Sequence, residues 1–288
     1  MAFRFATFAR CPIQTASLPQ ILMKSILAPR LRHFFAVLGV LVFAPAANAL
    51  VIFDGATGNT SDPGNGLPWD NVGNSGVYLG AYHTGYWVIT ANHVGSSAIT
   101  LNGLSYPGIS GTAARIGTTD LLLYRIDIST HGAPALPQLN LSSGTPVVGA
   151  QVFMIADGSG TKTWGTNNVD QYASYALVNA GPTTIGLITA YDSFADEAQA
   201  QGGDSGGAVY FQLPDESWLL SGIISAIGTF DGSATQFTAS IALAAYHTDI
   251  TGIVGTAVPE PRTAAIWIGA AGLLLAVGCR RRNASGPV

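Results

Sequence analysis

Ile99-Thr100-Leu101-Asn102-Gly103-Leu104-Ser105-Tyr106 reads as two three-residue strands closed by an Asn-Gly turn. Asn and Gly tolerate the positive φ that a two-residue hairpin turn requires. Between two apolar runs the pair is the strongest short hairpin signal in the chain. The same grammar continues on both sides. Upstream, Val77–Ala81 and Tyr86–Thr90 flank His83-Thr84-Gly85 and predict a second hairpin. Downstream, strands are predicted over Leu121–Ile128, Gln151–Ile155, Tyr172–Val178, Thr184–Ala190, Ala208–Phe211, Trp218–Ser225 and Phe237–Ile241, then a short helix over Tyr246–Ile253. Short strands at regular spacing predict an all-β sandwich or barrel. Leu50–Ser75 reads as an irregular lead-in, with turn chemistry at Asp62-Pro63-Gly64-Asn65-Gly66.

Three segments in this frame carry chemistry. They are Thr90-Ala91-Asn92-His93, then Thr119-Asp120-Leu121-Leu122-Leu123, then Gly202-Gly203-Asp204-Ser205-Gly206-Gly207. A serine hydroxyl is a weak nucleophile at neutral pH. It needs a base to take its proton, a group to orient that base, and donors for the oxyanion. Ser205, His93 and Asp120 supply one residue for each of the first three roles. The rival histidines, His83, His131 and His247, lie in a turn, in a loop and near the terminal helix, and read as surface or packing residues. Asp127 is seven residues beyond Asp120 on the same predicted strand, so the two side chains would point to opposite faces.

These segments resemble the trypsin-like (chymotrypsin-fold) serine peptidases. Thr90-Ala91-Asn92-His93 is similar to the family's T-A-x-H segment, Asp120 with its apolar run to D-[IL]-x-L-L, and Gly203-Asp204-Ser205-Gly206-Gly207 to G-D-S-G-G. The resemblance covers about Gly76 to Val254. It implies two packed six-stranded antiparallel barrels followed by a short C-terminal helix, with Pro134–Pro146 as the connection. His93 and Asp120 would come from the first barrel and Ser205 from the second. It further implies a nucleophile at Ser205, a general base at His93, an orienting carboxylate at Asp120, and an oxyanion hole from the amides of Gly203 and Ser205. The pocket floor would fall at Gln199, with Asp196 and Glu197 close by. Ser225 and the residues after it would pair with the backbone of an extended substrate. In the family the carboxylate matching Asp204 receives a new N-terminal ammonium on activation. No Ile-Val-Gly-Gly segment precedes the His93 segment, so Asp204 is expected to be satisfied locally, without zymogen cleavage.

Both ends read as addresses. Arg30, Arg32 and His33 precede the apolar run Phe34–Ala44 and the site Ala47-Asn48-Ala49, so residues 1–49 read as a secretory signal cleaved after Ala49. Met23 would begin a signal of ordinary length. At the other end Val258-Pro259-Glu260-Pro261, an apolar stretch over 263–279 and Arg280-Arg281-Arg282 resemble the PEP-CTERM sorting signal. That resemblance implies export by a Gram-negative bacterium, a transient inner-membrane anchor, processing by an exosortase after signal peptidase, and a final place at the envelope or outside the cell. The chain then divides into a signal region (1–49), a lead-in (50–75), a peptidase domain (76–256) and a sorting signal (257–288).

Composition agrees with an exported β protein. Only 10% of residues are charged and 35 are glycine, where about 25% charged is usual. Lys162 is the only lysine between the two end segments, which leaves no electrostatic footprint for nucleic acid. Cys11 and Cys279 both lie in the end segments, so the central domain is expected to hold without a disulfide. No metal-ligand spacing and no cofactor motif appears. The sequence therefore points to a secreted serine endopeptidase acting on peptide or protein substrates. The alternative is a non-catalytic surface or matrix binding protein on the same fold, and a third reading is a peptidase that cuts only itself or one envelope partner.

Overall fold

The computed structural model describes residues 50–52, 59–158, 160–176, 183–192, 197–230 and 234–258. The expected signal region, the apolar stretch 263–279 and the Arg cluster lie outside the described residues. Among the described residues no helix is long and apolar enough to cross a membrane. In chain order the first strands are β1 (Val51–Ile52), β2 (Val72–Gly73), β3 (Gly76–Tyr82), β4 (Gly85–Ala91), β5 (Ile99–Leu101), β6 (Leu104–Tyr106), β7 (Ala114–Arg115) and β8 (Leu121–Arg125). They are followed by β9 (Asn140–Leu141), β10 (Gln151–Ala156), β11 (Thr163–Asn168), β12 (Gln171–Tyr175), β13 (Thr184–Tyr191), β14 (Ala198–Gln199), β15 (Ala208–Gln212), β16 (Trp218–Thr229) and β17 (Gln236–Ala242). The helix α1 (His247–Val254) ends the series.

The hairpins read from the sequence are present. Asn102 and Gly103 have φ of 48° and 77°, and join β5 to β6. Strands β2, β3, β4, β8 and β7 form one antiparallel sheet. The β5–β6 hairpin folds this sheet into a barrel. Gly108, just past β6, bridges Ile126 at the end of β8. On the other side Thr100 of β5 donates its N–H to Asn74 Oδ1 at 2.9 Å, beside β2. The second barrel closes more completely. Its order is β11-β10-β15-β16-β17-β13-β12, and β11 runs on into β12 across Val169 and Asp170 alone. The two ends of the order are thus one strand, and the ring has six members. Short strand β9 lies in the expected inter-barrel connection and pairs in parallel with β16.

Three cores hold the two barrels. Tyr78, Val88, Ile99, Tyr106 and Tyr124 fill the first barrel. Val152, Met154, Leu187, Val209 and Ile224 fill the second. Between them Val77, Leu79, Ile89, Leu123, Tyr210, Leu220 and Ile223 form a third apolar layer. The alternation of strand side chains explains this: Tyr78 points into its barrel while Val77 and Leu79 point to the neighbouring one. Both faces of β3 and β4 are consequently apolar, as an inner strand buried on two sides must be.

The described residues of the lead-in are more closely tied to the barrels than its composition predicts. Val51 and Ile52 form β1 and pair with Gln199 and Ala198 of β14. Leu50 and Ile52 enter the second-barrel core, and Leu50 N donates to Thr163 Oγ1 at 2.7 Å. Farther on, Lys162 Nζ donates to Trp69 O at 3.1 Å and Trp164 Nε1 to Ser61 O at 3.0 Å. Turn residues make this stretch read as irregular, but Leu50 N and the carbonyls of Ser61 and Trp69 are held by β11 and Lys162.

Candidate active site

Strand register brings His93 to Asp120. Ala91, the last residue of β4, pairs with Leu121, the first of β8. His93 follows Ala91 by two residues and Asp120 precedes Leu121 by one, so both project from the same end of the same strand pair. The backbone continues the pairing: Asn92 N donates to Asp120 O at 2.7 Å. His93 N donates to Asp120 Oδ1 at 3.1 Å, and His93 Nδ1 lies 2.9 Å from Asp120 Oδ2. The imidazole is 40% exposed and the carboxylate side chain 7%, so the base opens to solvent while the acid is shut away.

Each partner shifts the other. The hydrogen bond to Asp120 raises the His93 pKa above its ordinary value, against the opposite pull of burial. Burial alone would raise Asp120, but the bonds from His93 and Ser225 outweigh it and hold the carboxyl below the usual range. The Asp120 amide meanwhile donates to Thr184 Oγ1 on the second barrel at 3.1 Å.

Ser205 reaches the same place from the other barrel. Gly206 N donates to Ile224 O and Ile224 N to Gly207 O, each at 2.8 Å. These bonds pin the Gly203–Gly207 turn to β16. Gly203 and Gly206 sit at φ of 108° and 93°, conformations that residues with a Cβ rarely adopt. The Ser205 hydroxyl donates to Ser225 O at 3.4 Å, a long contact for two oxygens. His93 Nε2 makes no hydrogen bond among the described residues. The structure thus joins His93 to Asp120 directly, and Ser205 to both only through Ser225. The amides of Gly203 and Ser205 donate to no acceptor among the described residues, while those of Asp204, Gly206 and Gly207 are all engaged.

Ser225 has a contact that the sequence did not reveal. Its Oγ donates to Asp120 Oδ2 at 2.6 Å. The β16–β17 ladder slips here, with Ile224 opposite Ser240 and Ala226 opposite Ala239. Ser225 is the extra residue of a bulge, and a bulge re-aims the side chain it carries. The stretch Ile223-Ile224-Ser225-Ala226-Ile227 carries no local sign of that slip.

Gln199, expected near a pocket floor, lies on β14 and is 1% exposed. Its Nε2 donates to Phe237 O at 3.2 Å and its Oε1 is buried without a partner among the described residues. Glu197 is fully buried, its two oxygens each accepting the Asp192 N–H at 3.0 Å. Asp196 lies outside the described residues. Asp127 is exposed and binds Ser129 N at 2.8 Å, away from His93. Asp204 is 2% exposed. It accepts the Gln201 N–H at 2.6 Å, and burial pushes its carboxyl up to about 7. Among the described residues no group of His, Cys, Asp and Glu is arranged to hold a metal ion.

No protein-family model matches this chain, and no curated protein does. Solved structures of similar outline exist. The Rv3671c protease from M. tuberculosis in its active form is 18% identical, over 64% of this chain and 75% of that one, with a TM-score of 0.44. Its inactive form is 16% identical over 66% and 91%, with a TM-score of 0.45. The NS6 protease from murine norovirus 1 is 17% identical over 63% and 93%, with a TM-score of 0.43. At such values the likeness is weak, and the site is read from its own geometry.

Proposed function

We propose that this chain is a serine endopeptidase that cleaves peptide bonds through an acyl-enzyme on Ser205. One observation carries the reading: three segments distant in sequence come together, with His93 bonded to a buried Asp120 and Ser205 one residue-contact away through Ser225. The chemistry follows from the parts. A substrate carbonyl enters beside the free amides of Gly203 and Ser205. Ser205 turns about its Cα–Cβ bond from the Ser225 carbonyl to His93 Nε2, which takes its proton as the oxygen attacks. The two amides hold the resulting oxyanion. Asp120 keeps the His93 proton on Nδ1 and stabilises the imidazolium, which then protonates the leaving amine. Water repeats the sequence to release the acyl group. The exposed Ile227 beyond Ser225 suits a strand edge that takes an extended peptide.

The sorting readings complete the proposal: export through the N-terminal signal, temporary anchoring by residues 263–279, and release at the envelope by an exosortase. They rest on the sequence at both ends.

The non-catalytic binding reading has one observation in its favour, the Ser205 hydroxyl turned to Ser225 O instead of to His93. A fluorophosphonate probe separates the two. Labelling at Ser205, absent in Ser205→Ala and His93→Ala, is the outcome expected of a peptidase. A folded protein that takes no label needs either an activation step or the binding reading, and the protein with its N-terminus freed after Ala49 separates the two: labelling restored there supports the peptidase, and labelling still absent supports the binding protein.

A further inference from the structure

Tyr175 ends β12 directly opposite Thr184, the residue whose Oγ1 accepts the Asp120 amide. This corner of the second barrel therefore abuts the orienting carboxylate. The tyrosine ring crosses Gly186 so closely that a Cβ there would collide with ring carbon Cε1. Its hydroxyl oxygen is buried and completes no hydrogen bond among the described residues. Buried phenols normally find a partner, so this one needs a reason.

Its neighbours supply it. The hydroxyl faces the Ser225 hydroxyl, within the field of the Asp120 carboxylate and of Tyr246. Burial raises the phenol far above its ordinary range; the Ser225 hydroxyl offsets part of that rise, and Asp120 and Tyr246 add to it, so the phenol keeps its proton. It is a donor with its proton unspent. Ser225 Oγ has spent its own proton on Asp120 Oδ2 and retains lone pairs.

We propose that Tyr175 is a positioning residue of the site, donating to Ser225 Oγ and adding a fourth link to the chain His93–Asp120–Ser225. Donation into Ser225 polarises that hydroxyl and strengthens its bond to Asp120. The carboxylate then shares more of its charge with Ser225 and holds a His93 imidazolium less tightly. Removing the phenol hydroxyl raises the His93 pKa. The groups facing the pair are Ser225 from β16, Tyr175 from β12 and Tyr246 before α1, whose own hydroxyl accepts the Ile185 N–H at 2.8 Å.

The test titrates His93 by NMR in the full chain, in Tyr175→Phe, in Ser225→Ala and in the double variant, with the fluorophosphonate labelling rate measured beside it. Tyr175→Phe is expected to raise the His93 midpoint by about 0.3 pH unit, and to move the acid limb of labelling by the same amount. The double variant should match Ser225→Ala, because Tyr175 acts through Ser225. An unmoved midpoint in Tyr175→Phe, or an equal rise on the Ser225→Ala background, overturns the proposal. The effect on rate rests on the peptidase reading, but the His93 midpoint does not. Labelling absent both from the parent protein and from the protein freed after Ala49 would sink that reading and leave the titration to decide Tyr175. Should Tyr175→Phe fail to fold, the phenol Cζ resonance of Tyr175 is compared between the parent and Ser225→Ala. A moved resonance supports the link and an unmoved one overturns it.

Discussion

A Cβ added to Gly158 would overlap the carbonyl group of Gly203. Gly158 follows β10, far in sequence from Ser205, yet its backbone is the surface against which the Gly203–Gly207 turn rests. Gly158→Ala must push that turn away, with the Gly203 amide moving along. Losing one oxyanion donor costs about 10²–10³ in rate. We expect fluorophosphonate labelling of Gly158→Ala to fall about 10²-fold while the His93 titration stays unchanged. Unaltered labelling would mean that Gly203 donates nothing to the reaction.

The His93–Asp120 bond predicts a pH profile. Only neutral imidazole can accept the Ser205 proton, and Asp120 raises the His93 pKa above 6.5. Labelling should therefore fall on the acid side at a higher pH than free imidazole would dictate. In Asp120→Asn the imidazole loses both that stabilisation and its tautomer. The acid limb should move down and the maximal rate drop by about 10⁴-fold. Stopped-flow labelling from pH 5 to pH 9 reads both effects, and an Asn variant of undiminished rate would remove Asp120 from the mechanism.

Much of this was legible in the sequence because strands and turns are local. Asn102-Gly103 carries its own φ requirement, and His93 and Asp120 sit at the ends of recognisable apolar runs. The missed features depend on contacts distant along the chain. Strand β11, Thr-Trp-Gly-Thr-Asn-Asn, has no apolar alternation. It is a strand because it pairs along its length with β10, from Thr163 opposite Ala156 to Asn168 opposite Gln151, while Asn167 Nδ2 donates to the carbonyls of Ala190 and Ala198. The bulge at Ser225 and the buried hydroxyl of Tyr175 have no local signature at all.

The lead-in makes a third prediction. Leu50 is 1% exposed in the second-barrel core, although its stretch reads as irregular. Truncating a buried leucine removes its transfer free energy and leaves a cavity. Leu50→Ala should cost about 2–4 kcal/mol in urea unfolding. A cost within the surface range of about 0.5 kcal/mol would show that β1 is not part of the core.

Asp204 makes the fourth. Its carboxyl titrates at about 7 in the folded chain, against 3.8 ordinarily, because burial opposes the charge and only the Gln201 N–H offsets it. Among the described residues it has no cationic partner, and the Leu50 nitrogen is engaged by Thr163 Oγ1. The folded state therefore holds a proton that the unfolded chain releases. The associated stability is fully present below about pH 4 and is lost as pH rises through about 7. A carboxyl displaced this far is worth up to about 4 kcal/mol. Unfolding free energy of the parent should decline across that window, once the carboxylates lowered by folding, such as Asp120, are accounted for in parallel. Asp204→Asn keeps the size of the group, has no charge to bury, and should lack this decline. If the two proteins lose stability in parallel between pH 4 and pH 7, Asp204 is charged when folded, and a cation outside the described residues must meet it.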